Sequence, residues 1–418
     1  MKIWILQTGE PLDIDNDDPR PMRAMNLSNY LVKNGHQVIL WSSAFHHRDK
    51  VHRSKKYESI KINNNYQIRL IPSPGYSKNI SLKRFWDHLI MSINLKKILK
   101  NETDLPDIAF IGFPPIENAY VFSGWLDRKE IPYLVDIKDQ WPDFFLQAIN
   151  SKIRPLGKFF LFPLFQMTKK IFRNSSGLTA MSKSFLEWGI NFSNKKNNKN
   201  NLVVPLTAPS IVLSEIKKNE ATSWWKDKIK DIEECKNIIF IGSHYPSLDF
   251  NPIFEAAEIL LEKNIDCNFI ICGFGEQTSK LKEKADKLNN VYFPGWVNQI
   301  QISALASMSI ATISPFKNIN NYTVNIPNKI VDSLALGLPI LSPLKGEVKN
   351  MILNNKLGLV YDEGSGESLS ICILKLLDDD FIVNKFSNNS KKLYNEKYSY
   401  DHVYGNLVKH IETMAKNV

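Results

Sequence analysis

Cysteine is scarce, with four in 418 residues: Cys235, Cys267, Cys272 and Cys372. Cys267 and Cys272 bracket one predicted strand and no second pair matches them. Neither a disulfide scaffold nor a metal framework fits, and a reducing, cytoplasmic setting is expected. Long apolar runs are missing too. Nothing approaches the ~18 residues that suggest a spanning helix. Met1–Leu6 gives way at once to Thr8-Gly9-Glu10-Pro11, the pattern of a buried strand entering a loop and not of a secretory signal. No complete dinucleotide fingerprint occurs. Gly273-x-Gly275 lacks its third glycine, which disfavours a nicotinamide-dependent enzyme. No Asp-x-Asp pair sits at a strand end, since Asp13-x-Asp15 and Asp378–Asp380 read as solvated loops. His46, His47 and His52 fall in a polar loop without metal-ligand spacing.

Acidic residues are absent from one long stretch. Between Phe144 and Leu186 there is none, while Lys152, Arg154, Lys158, Lys169, Lys170, Arg173 and Lys183 are present. The net charge of +10 (53 basic, 43 acidic) is therefore uneven. Residues 1–210 hold 30 basic and 18 acidic side chains, net +12, and the remainder holds 23 and 25, net −2. The first half is expected to meet something anionic.

What is present is a repeated α/β pattern. Lys2–Gln7 is an apolar strand, Met22–Asn34 has helical spacing ended by Gly35, and His36–Trp41 resumes as a strand. Ile68–Ile71, Ile108–Gly112, Tyr133–Ile137 and Leu178–Met181 are further short apolar runs. The pattern restarts at Asn237–Ile241, followed by strands at Cys267–Cys272, Val291–Pro294, Ser309–Ser314 and Pro339–Ser342, with helices at Pro252–Lys263, Thr278–Leu288 and Pro327–Leu336. Strands alternating with helices imply parallel sheets covered by helices. Two Rossmann-like domains are expected, 1–205 and 206–400, facing each other across a cleft, with a C-terminal helix over 401–418. Ligand loops in such sheets lie at the carboxyl ends of the strands.

Three elements in the second half sit at such ends. Gly242 follows one strand and Gly273-Phe274-Gly275 the next, where glycine lets backbone N–H groups approach a phosphate. The third runs Pro327-Asn328-Lys329-Ile330-Val331-Asp332 and ends at Gly337-Leu338-Pro339. Pro327 suits a helix first turn. Free N–H groups there, with Lys329, suit a diphosphate, and Asp332 can accept from ribose hydroxyls. The bland alternatives are tight βα turns and an i, i+3 charge pair. Taken in order with Val291-Tyr292-Phe293-Pro294-Gly295-Trp296-Val297, these motifs resemble the nucleotide-sugar domain of glycosyltransferase family 4, retaining enzymes of the GT-B fold. The resemblance spans most of 236–360. It implies that Asp332 holds the ribose, that Gly242, Ser243, His244, Gly273, Phe274, Gly275, Trp296 and Val297 surround the nucleotide, and that Pro327 and Asn328 face the diphosphate.

The first half is similar to the same family, on Ile111-Gly112-Phe113-Pro114-Pro115 and Asp136-Ile137-Lys138-Asp139-Gln140-Trp141-Pro142-Asp143, closest to the branch that builds bacterial O-antigen, capsule or similar glycans. Asp139 first, and Asp136 second, are the carboxylates expected at the mouth of the cleft, with Lys329 as the third candidate catalytic group. Gly9, Glu10, Arg20 and Arg23, after the first strand, fall where the family places acceptor and diphosphate contacts. Two features depart from the family. The first of its two glutamates is replaced by Val324, for which Asn320, Asn321, Tyr322 or Asn325 are candidate stand-ins. Its basic pair is absent between Ser243 and Leu261, leaving Lys317 and Lys329.

Within the acid-free stretch, Phe159, Phe160 and Phe162 are interleaved with Lys158, Lys169 and Lys170. Aromatic bulk flanked by cations suits an anionic membrane surface, and a buried helix pair is the plain alternative. Nothing on the chain resembles a nucleic-acid recognition module. The combined expectation is a glycosyltransferase moving a sugar from a nucleotide sugar, UDP-linked by analogy, to a lipid-linked or saccharide acceptor at the inner membrane face. The family needs no metal, and no cofactor is expected. A GT-B nucleotide-sugar epimerase and a non-catalytic nucleotide-sugar-binding relative are the rival readings.

Overall fold

The computed structural model describes residues 1–15, 21–79, 81–147, 150, 153–209, 214–229 and 231–416, with only the backbone described at 147, 320 and 321. The chain forms two compact units. Met1–Pro205 and Tyr404–Val418 make the first, and Leu206–Val403 the second.

The first unit contains β1 (Lys2–Leu6), β2 (Gln37–Ser43), β3 (Phe45–His46), β4 (Val51–His52), β5 (Glu58–Asn63), β6 (Tyr66–Ile71), β7 (Ile108–Phe113), β8 (Tyr133–Ile137), β9 (Gly177–Ala180) and β10 (Leu202–Val203). Eight of these form one sheet in the order β10-β9-β8-β7-β1-β2-β6-β5, and β3 and β4 form a separate ribbon. Every pair in the large sheet is parallel except β5 with β6. Strands buried on both faces read as continuous apolar runs, as in Ile108–Phe113, where every residue is buried. The core gathers around Trp4, which stacks on Trp125 at 5.4 Å and meets Trp41 at 5.2 Å. The Tyr400–Lys416 helix returns to this unit from Tyr404 onward, burying Tyr404, Leu407, Val408, Ile411 and Met414. His36 contacts Glu412 at 2.9 Å, and His410 contacts the Asn200 carbonyl at 3.0 Å.

The second unit contains β11 (Lys236–Ile241), β12 (Cys267–Cys272), β13 (Val291–Gly295), β14 (Ser309–Ile313), β15 (Ile340–Ser342) and β16 (Gly358–Val360), in the order β13-β12-β11-β14-β15-β16. All are parallel. Helices 251–262, 328–336 and 366–377 supply one apolar layer, and 215–228 with 299–307 supply another. In both sheets the chain reverses its direction of strand addition beside the first strand: between β1 and β7, and between β11 and β14. Crevices for ligands open outside the carboxyl ends at such switch points.

Candidate functional site

At the carboxyl ends of β11, β12 and β13 the backbone is built around glycine. Gly242, Gly273 and Gly295 have φ of +143°, +111° and +87°, conformations that side-chain-bearing residues rarely adopt. A Cβ on Gly273 would lie 2.1 Å from the Gly242 oxygen, and one on Gly242 would lie 1.6 Å from Lys329 Nζ. The loops are stitched together by Gly242 N–H donating to Cys272 O (3.1 Å), Gly273 N–H to Gly295 O (2.7 Å) and His244 N–H to Phe274 O (3.1 Å). Lys329 donates to Ile241 O at 2.8 Å and stands 4.5 Å over the Phe240 ring. It projects from the first turn of the Asn328–Leu336 helix, whose N-cap is Pro327 and has no side-chain cap; Gly337 closes the helix with φ 66°. An uncapped helix start with a lysine beside two glycine turns is a built place for an anion.

Around it, Phe274 and Trp296 are 56% and 67% exposed. Tyr245 is 57% exposed on the same group of loops. It lay outside the sequence expectation because no motif marks it. Asp332 and Ser243 are half-buried, Asn328 is exposed, and Asn325 Oδ1 accepts from Ile326 N–H at 2.8 Å. Lys317 donates to Pro246 O at 2.7 Å, on the 242–248 loop.

Two expectations in this unit are corrected. The His244 side chain does not line a ligand site. It is fully buried against Phe240, Phe250 and Phe293, with Nδ1 2.9 Å from Thr278 Oγ1, and burial pushes its pKa down. Val297 is likewise buried in the core layer with Ile239 and Ile270, so it can face a ligand only with its backbone.

In the first unit the corrections go further. Asp136 is not at a mouth. It is the fourth residue of β8, in register with Gly112 on one side and Thr179 on the other, and is fully buried. Oδ1 accepts from Thr179 Oγ1 at 2.8 Å, and Oδ2 lies 3.1 Å from Arg23 Nε. That arginine, 6% exposed, also donates to Val204 O at 2.7 Å. Glu10 is equally committed. It pairs with Lys138 and accepts from Ala24 N–H at 2.8 Å, which caps the Arg23–Lys33 helix. Glu10 and Arg23 therefore hold the loop after β1 in place and are not open to a ligand. Asp143 accepts from Trp188 Nε1 at 2.8 Å. Arg20 lies outside the described residues.

Asp139 behaves differently. It follows β8 and is half-buried, with the Gln140 N–H and the Trp141 indole facing it; burial raises its pKa. Its partner Trp141 lines a cavity of about 120 Å³ at the switch point of this sheet. Gln7 and Gly9 follow β1, Ser43 ends β2, Pro114 follows β7 and Trp141 follows β8, with Arg84 and His88 entering from the Leu82–Lys100 helix. A larger cavity, about 370 Å³, lies in the second unit by Gly337 and Pro339, at the amino ends of its strands and away from the glycine loops. Among the described residues no three His, Cys, Asp or Glu side chains converge to hold a metal.

The Arg154–Phe160 helix buries none of its residues. Phe159, Phe160 and Phe162 are 75%, 71% and 57% exposed, and Lys158 and Lys170 are exposed beside them. Lys169 is half-buried, and Lys170 reaches over the Tyr120 ring at 5.5 Å. The following helix, Phe162–Asn174, packs through Thr168, Ile171 and Phe172. No helix among the described residues is long and apolar enough to cross a membrane.

Comparison with known proteins agrees with this architecture. Residues 224–393 match the family of glycosyl transferases group 1. An uncharacterized glycosyltransferase of Methanocaldococcus jannaschii is 24% identical over 242 residues, 56% of this chain and 57% of that protein, so the match spans just over half of the curated relative. Among solved structures, sucrose-phosphate synthase from Thermosynechococcus elongatus superposes with a TM-score of 0.70 at 11% identity, covering 100% of both chains. Anabaena HepE, in complex with UDP and glucose, gives 0.64 at 10% identity, covering 99% of this chain and 100% of its own. The family match thus falls on the second unit, and the two Rossmann-like sheets match the GT-B glycosyltransferase fold.

Proposed function

We propose that the protein is a glycosyltransferase. It moves a sugar, with retention, from a UDP-linked donor to a lipid-linked or saccharide acceptor in bacterial surface-glycan synthesis. The observation that carries the reading is the anion cradle of the second unit, where Lys329 occupies the space left by the missing Cβ of Gly242, at the uncapped start of the 328–336 helix. There the departing diphosphate gains N–H dipoles and a cation as negative charge develops. Phe274, Trp296 and Tyr245 offer exposed ring faces for the base, and Asp332 accepts from the ribose. UDP in the fold relative HepE supports this choice of nucleotide.

The reaction breaks the bond from the anomeric carbon to the diphosphate and forms one to the acceptor oxygen. In a same-face attack the departing phosphate oxygen takes the hydroxyl proton, so retention needs no protein nucleophile. Asp139 is assigned to orient the acceptor hydroxyl on the first unit, in its ionised form. The exposed phenylalanines and lysines of 154–170 support docking on an anionic membrane, on its inner face.

A thermal-shift screen of nucleotide sugars tests the donor reading. A ligand at about 100 times its Kd stabilises by ~2.7 kcal/mol, so a UDP-sugar should raise Tm by a few degrees and Asp332→Ala should erase the rise. No response to any nucleotide sugar would overturn it.

A further inference from the structure

The cavity at the switch point of the first unit is lined by one cation, Arg84, and one carboxylate, Asp87. Arg84 lies 5.7 Å from the Tyr76 ring and 5.3 Å from the Trp141 ring, clamped between two aromatic faces. It donates from Nη1 to Asn79 O at 2.9 Å, while its buried Nε has no partner. Lys50 stands over the same Tyr76 ring at 4.7 Å and donates to the His47 carbonyl and to Asn79. Neither cation makes a salt bridge among the described residues. Burial, and then the Arg84 charge, push the pKa of Lys50 down. A half-buried guanidinium without a salt bridge is costly to hold, and the cost falls when an anion enters.

The rest of the lining suits the same occupant. His88 is 4% exposed with Nδ1 unpartnered. Burial first, and neighbouring cations second, lower His47 to about 4 and His88 to about 3, so both are neutral hydrogen-bonding groups at pH 7. Asp87, the sole carboxylate of the lining, already accepts from Gly75 N–H at 2.6 Å, and burial raises its pKa. At about 120 Å³ the cavity is well below the ~300 Å³ typical of a site for a whole small molecule, so it receives one group of a larger ligand.

We propose that this cavity binds the phosphate of a phosphorylated acceptor, held by Arg84, with Lys50 adding its charge from over the lining Tyr76 ring. Phosphate binding stands on the cavity alone; its use in transfer rests on the glycosyltransferase reading. A sugar phosphate and a lipid diphosphate share this chemistry. The helix that carries Arg84 and His88 also exposes Leu82, Trp86, Leu89 and Ile93, spaced by four, three and four residues along one stripe. Its Phe85 contacts Phe145 at 5.2 Å, and Phe145 meets the exposed Phe144. At about 100° per residue that stripe is on the face opposite Arg84, His88 and Met91; the apolar surface reaching the cavity is Phe144 and Phe145, the latter 4.5 Å from the lining residue Trp141, and it favours the lipid-linked form.

Titration calorimetry on the full chain compares hexose 1-phosphate, unphosphorylated hexose, inorganic phosphate and detergent-dispersed farnesyl diphosphate. The phosphorylated probes should bind, farnesyl diphosphate most tightly, and unphosphorylated hexose should not. Arg84→Gln and Lys50→Gln should each weaken the phosphorylated probes roughly tenfold to a hundredfold, the value of a hydrogen bond to a charged group. Asp332→Ala should leave them unchanged. Hexose 1-phosphate binding without farnesyl diphosphate binding would keep the phosphate site and assign it to a soluble acceptor. Unaltered affinity in both the Arg84 and the Lys50 variants, or equal binding of unphosphorylated hexose, would overturn the proposal. The thermal response to UDP-sugars, read separately, fails only if the donor reading fails.

Discussion

Asp136→Ala should unfold the first unit far more readily, for reasons of charge and not of catalysis. The carboxylate is fully buried and is the partner of both Arg23 and the Thr179 hydroxyl. Removing it strands a guanidinium whose side chain is 5% exposed. Breaking a buried pair from one side costs roughly 3–5 kcal/mol, a large share of the ~5–15 kcal/mol that holds a domain folded. With a urea dependence of about 3 kcal/mol per molar, the midpoint should fall by about 1–1.7 M. Urea titration followed by tryptophan fluorescence reads this unit well, since Trp4, Trp41, Trp86, Trp125, Trp141 and Trp188 all lie in it. Replacing both partners by apolar residues, Arg23→Met with Asp136→Leu, should recover most of the loss, because no charge is left unpaired. A variant Asp136→Ala that unfolds at the parent midpoint yet loses transfer would refute the assignment and return Asp136 to the chemistry.

Asp139→Asn should behave in the opposite way. Burial disfavours its ionised form, so the amide should leave the protein at least as stable at pH 7, while kcat falls roughly 10²–10⁴-fold. The same raised pKa sets the pH profile: transfer should be lost as pH falls through a value above the ordinary carboxylate range, measured as kcat/KM against pH. Gly273→Ala forces a side chain onto φ +111° and to 2.1 Å from a carbonyl oxygen; strain of ~1–3 kcal/mol should weaken UDP binding by calorimetry about tenfold or more. Phe159→Ser with Phe160→Ser should reduce co-sedimentation with anionic liposomes and leave Tm unchanged, as both rings are mostly exposed.

The parallel sheets were legible because strands buried on both faces are short apolar runs punctuated by glycine and proline. β5, Glu58–Asn63, was not. It is polar and exposed along most of its length and lies at the sheet edge with one neighbour, so no apolar run marks it. The glycine loops of the second unit were legible because their backbone geometry leaves no room for another residue. Side-chain direction at strand ends was not. Asp136 and Asp139 are three residues apart, yet one is sealed within the sheet and the other is only half-buried. The Arg84–Lys50 pocket escaped sequence reading because its residues come from several separate strand ends and one helix. Arg84 reads in sequence only as one more cation of a basic run.

The return of residues 404–418 to the first unit has a consequence for biosynthesis. The helix that delivers Leu407 and Ile411 to that core leaves the ribosome after every residue of the second unit. A nascent chain halted before Tyr404 holds all that the second unit needs, but not all that the first does. The closing loop spans the entire second unit, yet loop-closure entropy grows only as the logarithm of length. Prior folding of the second unit shortens that loop further. The order of completion is therefore set by threading, with the unit translated first sealed last.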